Sequence, residues 1–373
     1  MNINSTALNI IRVYATLLVF LCHSTIIAKE SFGFIIQESI PLRMLFLTPA
    51  WGGVWIFLVV GGFLAAYGFD TGKYTLDKSG ILKYYRGRIL KVLIPTYIFI
   101  SLMYIFNMLE SHVEFTTILK WLTCTFNGPN AGIKRVGASW YVFIIMWLYL
   151  MSPFLLKLLY KFEIKYRKRE FKAYIYLIGL VCVFGISYRL GGVILDKMLG
   201  AEGKIYYNWF YANVTGCFDM FLIGVIGERL LRFMPPINEE RFKKCRILSF
   251  FALLLTAFVF VGMFKYQRTL YRFIGPCLFS LSTIIIIIST SVKINSDVLK
   301  LNSKFERICN LIAPYAFMFY LWHSPLLGYV ADKIEIENLS LHYFSTLVVG
   351  GMVTVYVAFL MTKMNNGIIK TLQ

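Results

Sequence analysis

The sequence predicts an all-α polytopic integral membrane protein, and three observations carry that prediction. Of its 373 residues, 58% are hydrophobic and the mean hydropathy is +0.67, whereas a soluble domain has about 45–50% apolar residues. Runs of roughly 20 apolar residues recur along the whole chain, the length a helix needs to cross the hydrocarbon of a bilayer. The short segments between them are basic, and nothing resembles the alternating strands of an outer-membrane barrel.

About ten transmembrane helices are expected, at 8–28, 50–69, 88–109, 139–160, 173–190, 209–231, 247–266, 270–292, 309–331 and 341–362. A net charge of +19 would suit a nucleic-acid binder, but its placement argues for topology instead. The dense clusters, "KSGILKYYRGR", "KFEIKYRKREFK", "RFMPPINEERFKKCR" and "KINSDVLKLNSKFER", all fall on one side. Placing the N-terminus in the cytoplasm puts about two-thirds of the Lys and Arg inside, so the orientation expected is N-in and C-in. The basic charge then meets anionic lipid, and no nucleic-acid partner is expected.

The whole chain, 1–373, reads as a single integral-membrane domain with no soluble domain. The longer outer segments, 110–138 and 190–208, either lie along the interface or fold back as lids. Seven cysteines are dispersed, with no CxxC and no Cys/His cluster, so no metal site is expected. The first apolar run exceeds a signal-peptide core and has no basic residue before Arg12, so it is expected to be retained.

The first span, "LNIIRVYATLLVFLCHSTII", contains Arg12 and His23. Eleven residues at 100° each make three turns and about 20°, so both side chains share a face, roughly 16 Å apart along the axis. Asn9 and Thr16 fall near the same direction. A polar stripe on a greasy helix belongs against the bundle interior or a wet cavity, since lipid cannot satisfy it. For Arg12, snorkelling to the inner headgroups is the competing reading; for His23 it is a plain hydrogen bond across helices.

In the second span the glycine pairs at 52–53 and 61–62 predict close helix approach. Arg86, Arg88 and Lys91 cluster at the cytoplasmic mouth of the third, where Arg88 and Lys91 share a side and suit an anion such as a phosphate. Pro95, one turn on, is expected to kink that helix. Asp219 lies near the middle of the sixth span, placed to orient a histidine, to pair with an arginine, or to be protonated. His323, in the ninth, is expected at a depth similar to that of His23.

These residues together resemble acyltransferase family 3, membrane proteins that O-acylate sugars of bacterial surface polysaccharides and lipid-linked glycans. The family pattern of an arginine and a histidine with ten residues between them in the first span is matched by Arg12 and His23. Its Gly-Val-x-x-Phe stretch is matched by "GGVWIFLVVGGFL", with Gly61 where serine is common. Its basic pair before a proline and an aromatic is matched by Arg88, Lys91, Pro95 and Tyr97. A Trp-Tyr start to a later span is Trp140 and Tyr141, and a Tyr-Leu-x-His signature is Tyr320 to His323. The resemblance runs from residue 8 to about 360.

It implies a multi-pass enzyme of the bacterial cytoplasmic membrane with no permanently bound cofactor. Acyl-CoA, usually acetyl-CoA, would be the donor substrate and a glycan hydroxyl the acceptor. Arg88 and Lys91, with Arg12 and Arg86, would hold the donor phosphates. His23 would be the general base, with Asp219 or His323 fixing its tautomer, and Trp140, Tyr141 and Tyr320 would line the substrate path. Direct attack and an acyl-histidine relay both remain open. Lys91 stands where the family has a second arginine, keeping charge without bidentate geometry. The glutamate expected after Trp140 in peptidoglycan-type members is missing, and no hydrolase-like domain follows, which points to a stand-alone transferase for another glycan. The competing class is a transporter or flippase with Arg12, Asp219 and the histidines on its path. Such folds carry inverted repeats, and no repeat is evident here. A structural or sensory scaffold would need no shared polar cavity at all.

Overall fold

The structure, a computed structural model, describes residues 5–27, 50–108, 114–125, 140–234, 240, 244–245, 247–256, 270–291 and 304–372. Most of those residues are helical, and there is no strand among them. In chain order the helices are α1 (Ser5–Ile27), α2 (Ala50–Asp70), α3 (Lys78–Arg88), α4 (Ile94–Met108), α5 (Phe115–Leu122), α6 (Trp140–Lys165), α7 (Glu170–Met198), α8 (Val214–Arg232), α9 (Ile247–Thr256), α10 (Leu270–Ser291), α11 (Lys304–Ile312), α12 (Ala316–Lys333) and α13 (Leu339–Leu372).

Eight helices among the described residues are long and apolar enough to cross a membrane. Two further expected spans differ for visible reasons. Of 247–266 only α9 is described, since 257–266 lie outside the described residues, and the continuous helix α12 is made less apolar by His323, Ser324, Asp332 and Lys333. Much of the basic segments 232–246 and 293–307, on which the orientation was argued, also lies outside the described residues.

The helices form two compact units. The first comprises residues 1–12, 55–87 and 144–310. Its central helix is α8, buried at nearly every position from Gly216 to Leu231. That burial has a simple cause: Gly62 of α2 and Gly224 of α8 let two backbones touch. A Cβ at Gly62 would lie 2.0 Å from the Phe221 carbonyl oxygen, and one at Gly224 equally close to that of Val59. The packing expected of the glycines therefore holds at this crossing. Gly62→Ala is expected to cost about 1–3 kcal/mol by forcing the helices apart. A thermal unfolding midpoint equal to the wild type's in detergent would contradict this contact.

Polarity in this unit is inside out. Tyr176, Leu180 and Val183 of α7, one helical face, are all more than 60% exposed, whereas Arg189 on the same helix is 0% exposed. Lipid accepts the first set and cannot satisfy the second. At one end, Arg229 of α8 bonds Glu163 of α6 through Nε (2.6 Å) and Nη2 (2.5 Å) and also binds Asp70 of α2. Tyr174 of α7 donates to Glu163 (2.5 Å) and Tyr160 to Asp70 (2.6 Å), so one buried network ties four helices. Before α3, Asp77 accepts from the Thr75 and Ser79 hydroxyls and the Gly80 N–H. Those bonds hold its carboxylate down to about 2, so this cap stays charged.

The second unit comprises residues 13–54, 88–143 and 311–373. α12 and α13 form its principal helix pair, with Gly350 seated on Leu327. α1 joins through Phe20, which lies over Gly351, and through Ser24, whose hydroxyl is 3.0 Å from that of Tyr343. A Cβ at Gly53 would lie 2.5 Å from the Ala15 carbonyl oxygen, so the first glycine pair also serves close approach. α4 meets α12 where Phe99 packs edge-on to Trp322, their centroids 5.0 Å apart.

Three expectations about local structure are refined. α3 and α4 are joined by a π-helical turn, Ile89–Leu93, in which the Ile94 N–H reaches back five residues to the Ile89 carbonyl. A widened turn, rather than a simple kink, is how the chain accommodates Pro95, which has no N–H to offer. Of the outer segments, 190–208 is largely helical, because apolar residues carry α7 on to Met198. Asp196 then accepts the N–H groups of Gly203, Ile205 and Tyr206 and starts the next helical turn. Within 110–138, α5 turns Phe115, Leu119 and Leu122 outward and buries Trp121, the pattern of an interfacial helix.

Candidate active site

Two histidines far apart in the chain meet in the second unit. His23 comes from α1 and His323 from α12, with ring centroids 4.8 Å apart and planes at 53°. His23 is half-buried, whereas His323 is 1% exposed. The His323 Nδ1 lies 2.6 Å from the Tyr320 carbonyl oxygen. A carbonyl only accepts, so Nδ1 carries the hydrogen and Nε2 presents a lone pair. That Nε2 is buried with no hydrogen-bond partner in the protein, an arrangement that serves proton transfer better than packing.

Aromatic rings fix the orientation. Phe319 lies parallel to His323, with 4° between planes, and Phe20 of α1 meets Phe319 edge-on at 5.3 Å. Tyr320 flanks His323 at 5.7 Å and is itself met edge-on by Tyr141 of α6 at 5.6 Å. Two residues after His323, Pro325 interrupts the hydrogen-bond ladder of α12. Of the expected site residues, the structure thus gathers His23, His323, Tyr320 and Tyr141. Trp140, next to Tyr141, is buried at the start of α6.

The expected cations lie elsewhere on the helices. Arg88 closes α3 half-buried, and Lys91 is exposed within the π-helical turn of the same unit. Arg86 is exposed and Arg12 half-buried, both among residues of the first unit. Asn9, on the polar stripe of α1, donates to Asn310 at 2.9 Å.

Asp219, expected as a partner for histidine, has other company in the first unit. Arg189 of α7 grips it with two bonds, Nη1 to Oδ1 at 2.9 Å and Nη2 to Oδ2 at 2.7 Å, and both side chains are buried. Arg189 also donates to the Gly216 carbonyl at 3.1 Å. Gly185 makes the room, since a Cβ there would lie 2.0 Å from Asp219 Oδ2. Of the three roles the sequence allowed Asp219, the ion pair is the one its geometry fits.

Among known families, the acyltransferase domain model of acyltransferase family 3 matches residues 5–363. The chain belongs to acyltransferase family 3. No curated protein and no solved structure matches it. Membership in acyltransferase family 3, together with the apolar helices, makes this a multi-pass membrane protein and supports a membrane acyltransferase. For a member of acyltransferase family 3, the sequence left two things unread. Arg189 stands near the end of an apolar run, and the signal for it is Asp219, since a buried acid in a span calls for such a partner. Asn365, near the end of α13, is 5% exposed with a buried Oδ1 that no protein group satisfies; the carboxamide pair Asn365–Asn366 just beyond the apolar run was the available signal. Among the described residues no cluster of ligating side chains forms a metal site.

Proposed function

We propose that this chain transfers an acyl group, acetyl in the first instance, from acyl-CoA to a hydroxyl of a surface polysaccharide or lipid-linked glycan in a bacterial cytoplasmic membrane. The observation that carries the reading is the His23–His323 pair, one ring half-buried and the other buried with its tautomer set by Tyr320. A sugar hydroxyl is a poor nucleophile at neutral pH, so attack on a thioester needs a base. His23, the more accessible ring, takes the hydroxyl proton as the oxygen bonds to the thioester carbonyl carbon. The tetrahedral intermediate collapses, the C–S bond breaks, and the proton on His23 passes to the departing sulfur, leaving ester and free CoA thiol. His323 stays neutral beside it, the two ring centroids 4.8 Å apart. Direct attack needs one base and no acyl-enzyme, and the paired rings supply that base.

Arg88 and Lys91 suit the donor phosphates, Lys91 as a point charge and Arg88 as a fork. Their position favours a donor arriving from the cytoplasm in the N-in, C-in orientation. Asp219 in this reading is a structural partner of Arg189. Arg88→Ala is expected to raise the KM for acetyl-CoA roughly tenfold or more, with kcat largely kept, because it removes binding common to ground and transition states. An unchanged KM would assign the phosphates to other residues. The function itself is tested by glycan analysis of a deletion strain. One O-acyl ester should vanish and return on complementation; an unaltered ester profile would overturn the reading.

A further inference from the structure

The geometry points to Asn365 as the group that receives an amide of the donor's pantetheine arm, an inference that rests on the acyl-CoA reading above. A small pocket lies within the second unit between α4, α12 and α13. Its walls are Pro95 and Ile98, Met318 and Trp322, and Met364. Asn365 is its one polar side chain, 95% removed from solvent, and its Oδ1 is buried with no hydrogen-bond partner in the protein. A carboxamide oxygen buried among thioethers and hydrocarbon calls for a donor from outside the chain.

The position of the pocket identifies the ligand class. Pro95 lies one turn beyond Lys91, and α13 packs against the π-helical turn that bears Lys91. At the other end Trp322 lines the pocket and immediately precedes His323 in α12. From Arg88 to Phe99, the ring that packs on Trp322, the chain advances eleven residues, about 16 Å if it rises as an α-helix. Pantetheine, with the backbone length of about four extended residues, spans roughly 14 Å. The pocket thus falls between a phosphate-binding pair of cations and the imidazoles, where the middle of such an arm would pass.

The chemistry fits the same part. Pantetheine carries two secondary amides separated by short methylene runs. An amide N–H donates to Asn365 Oδ1, the acceptor that no protein group satisfies. The methylenes lie against Met318, Met364 and Ile98, side chains whose flexible or branched ends fit a thin chain. A fatty acyl tail would leave the carboxamide unsatisfied, and a sugar would need more polar groups than this wall offers.

The test measures binding of CoA, and of 3′,5′-ADP as the phosphate-bearing part alone, to the full-length protein in nanodiscs. Asn365→Leu is expected to weaken CoA binding about tenfold while leaving 3′,5′-ADP binding unchanged. Equal CoA affinity in the variant, or a parallel loss for both ligands, would overturn the assignment. A ligand-side arm is independent of folding. The wild-type protein should bind a CoA analogue with each pantetheine amide replaced by an ester about tenfold more weakly than CoA. Equal affinity for CoA and the ester analogue would overturn the role of Asn365 and leave the acyl-CoA donor standing. A wild-type protein that binds neither CoA nor 3′,5′-ADP would overturn the donor reading and this inference with it.

Discussion

His23→Ala and His323→Ala are each expected to lower acyl transfer by about 10²- to 10⁴-fold, the range a positioned general base contributes. The two rings lie 4.8 Å apart and act together, His23 as the base and His323 as the neighbour that positions it, so the double variant should lose little more than either single variant. Multiplying losses would mean that the rings act separately. The two positions differ in packing. His23 is half-buried against His323, whereas His323 is buried and walled by Phe319 and Tyr320 as well, so its removal opens the larger cavity. The unfolding midpoint of His323→Ala therefore needs to be read beside its rate. A normal rate in His23→Ala would remove that ring from the chemistry.

The second large effect is on stability. Asp219→Asn leaves the Arg189 guanidinium buried without its counter-charge, and breaking a buried pair from one side costs about 3–5 kcal/mol. Adding Arg189→Gln removes the stranded charge, and the double variant should recover much of that loss. This cycle also separates the roles proposed for Asp219. A structural partner predicts that activity returns with stability in the double variant. Thermal unfolding and acyl transfer measured on all three proteins decide it; a stable double variant without activity would place Asp219 in the chemistry.

The parts of the fold and site that were legible in the sequence are those written locally. Apolar runs fix the helical membrane class, because a bilayer forces backbone satisfaction within each segment. His23 and His323 were expected at like depth, and the structure brings their rings together. Asp219 shows where local reading stops. Its carboxylate was visible, but its partner lies 30 residues back on another helix, and helix pairing is set by tertiary packing around Gly185. The network of Asp70, Glu163 and Arg229 was hidden for the same reason: each residue sits near an end of a separate apolar run, where an ordinary flanking charge also sits. At Pro95 the sequence announced a disturbed helix, yet not its form, since a kink and a widened turn both follow from one missing N–H. The extension of α7 to Met198 was missed because Asp196 reads as a loop residue until its bonds to Gly203, Ile205 and Tyr206 are seen.

The central claim is that the histidine pair moves an acyl group from CoA onto a glycan. The most direct measurement supplies acetyl-CoA, labelled in the acetyl carbons, to inside-out vesicles containing the full-length protein and the host's lipid-linked or surface glycan. The account predicts label in a base-labile ester of the glycan, formed in step with free CoA and missing with His23→Ala. Glycan that reaches the other leaflet without acquiring label would contradict it and favour transport.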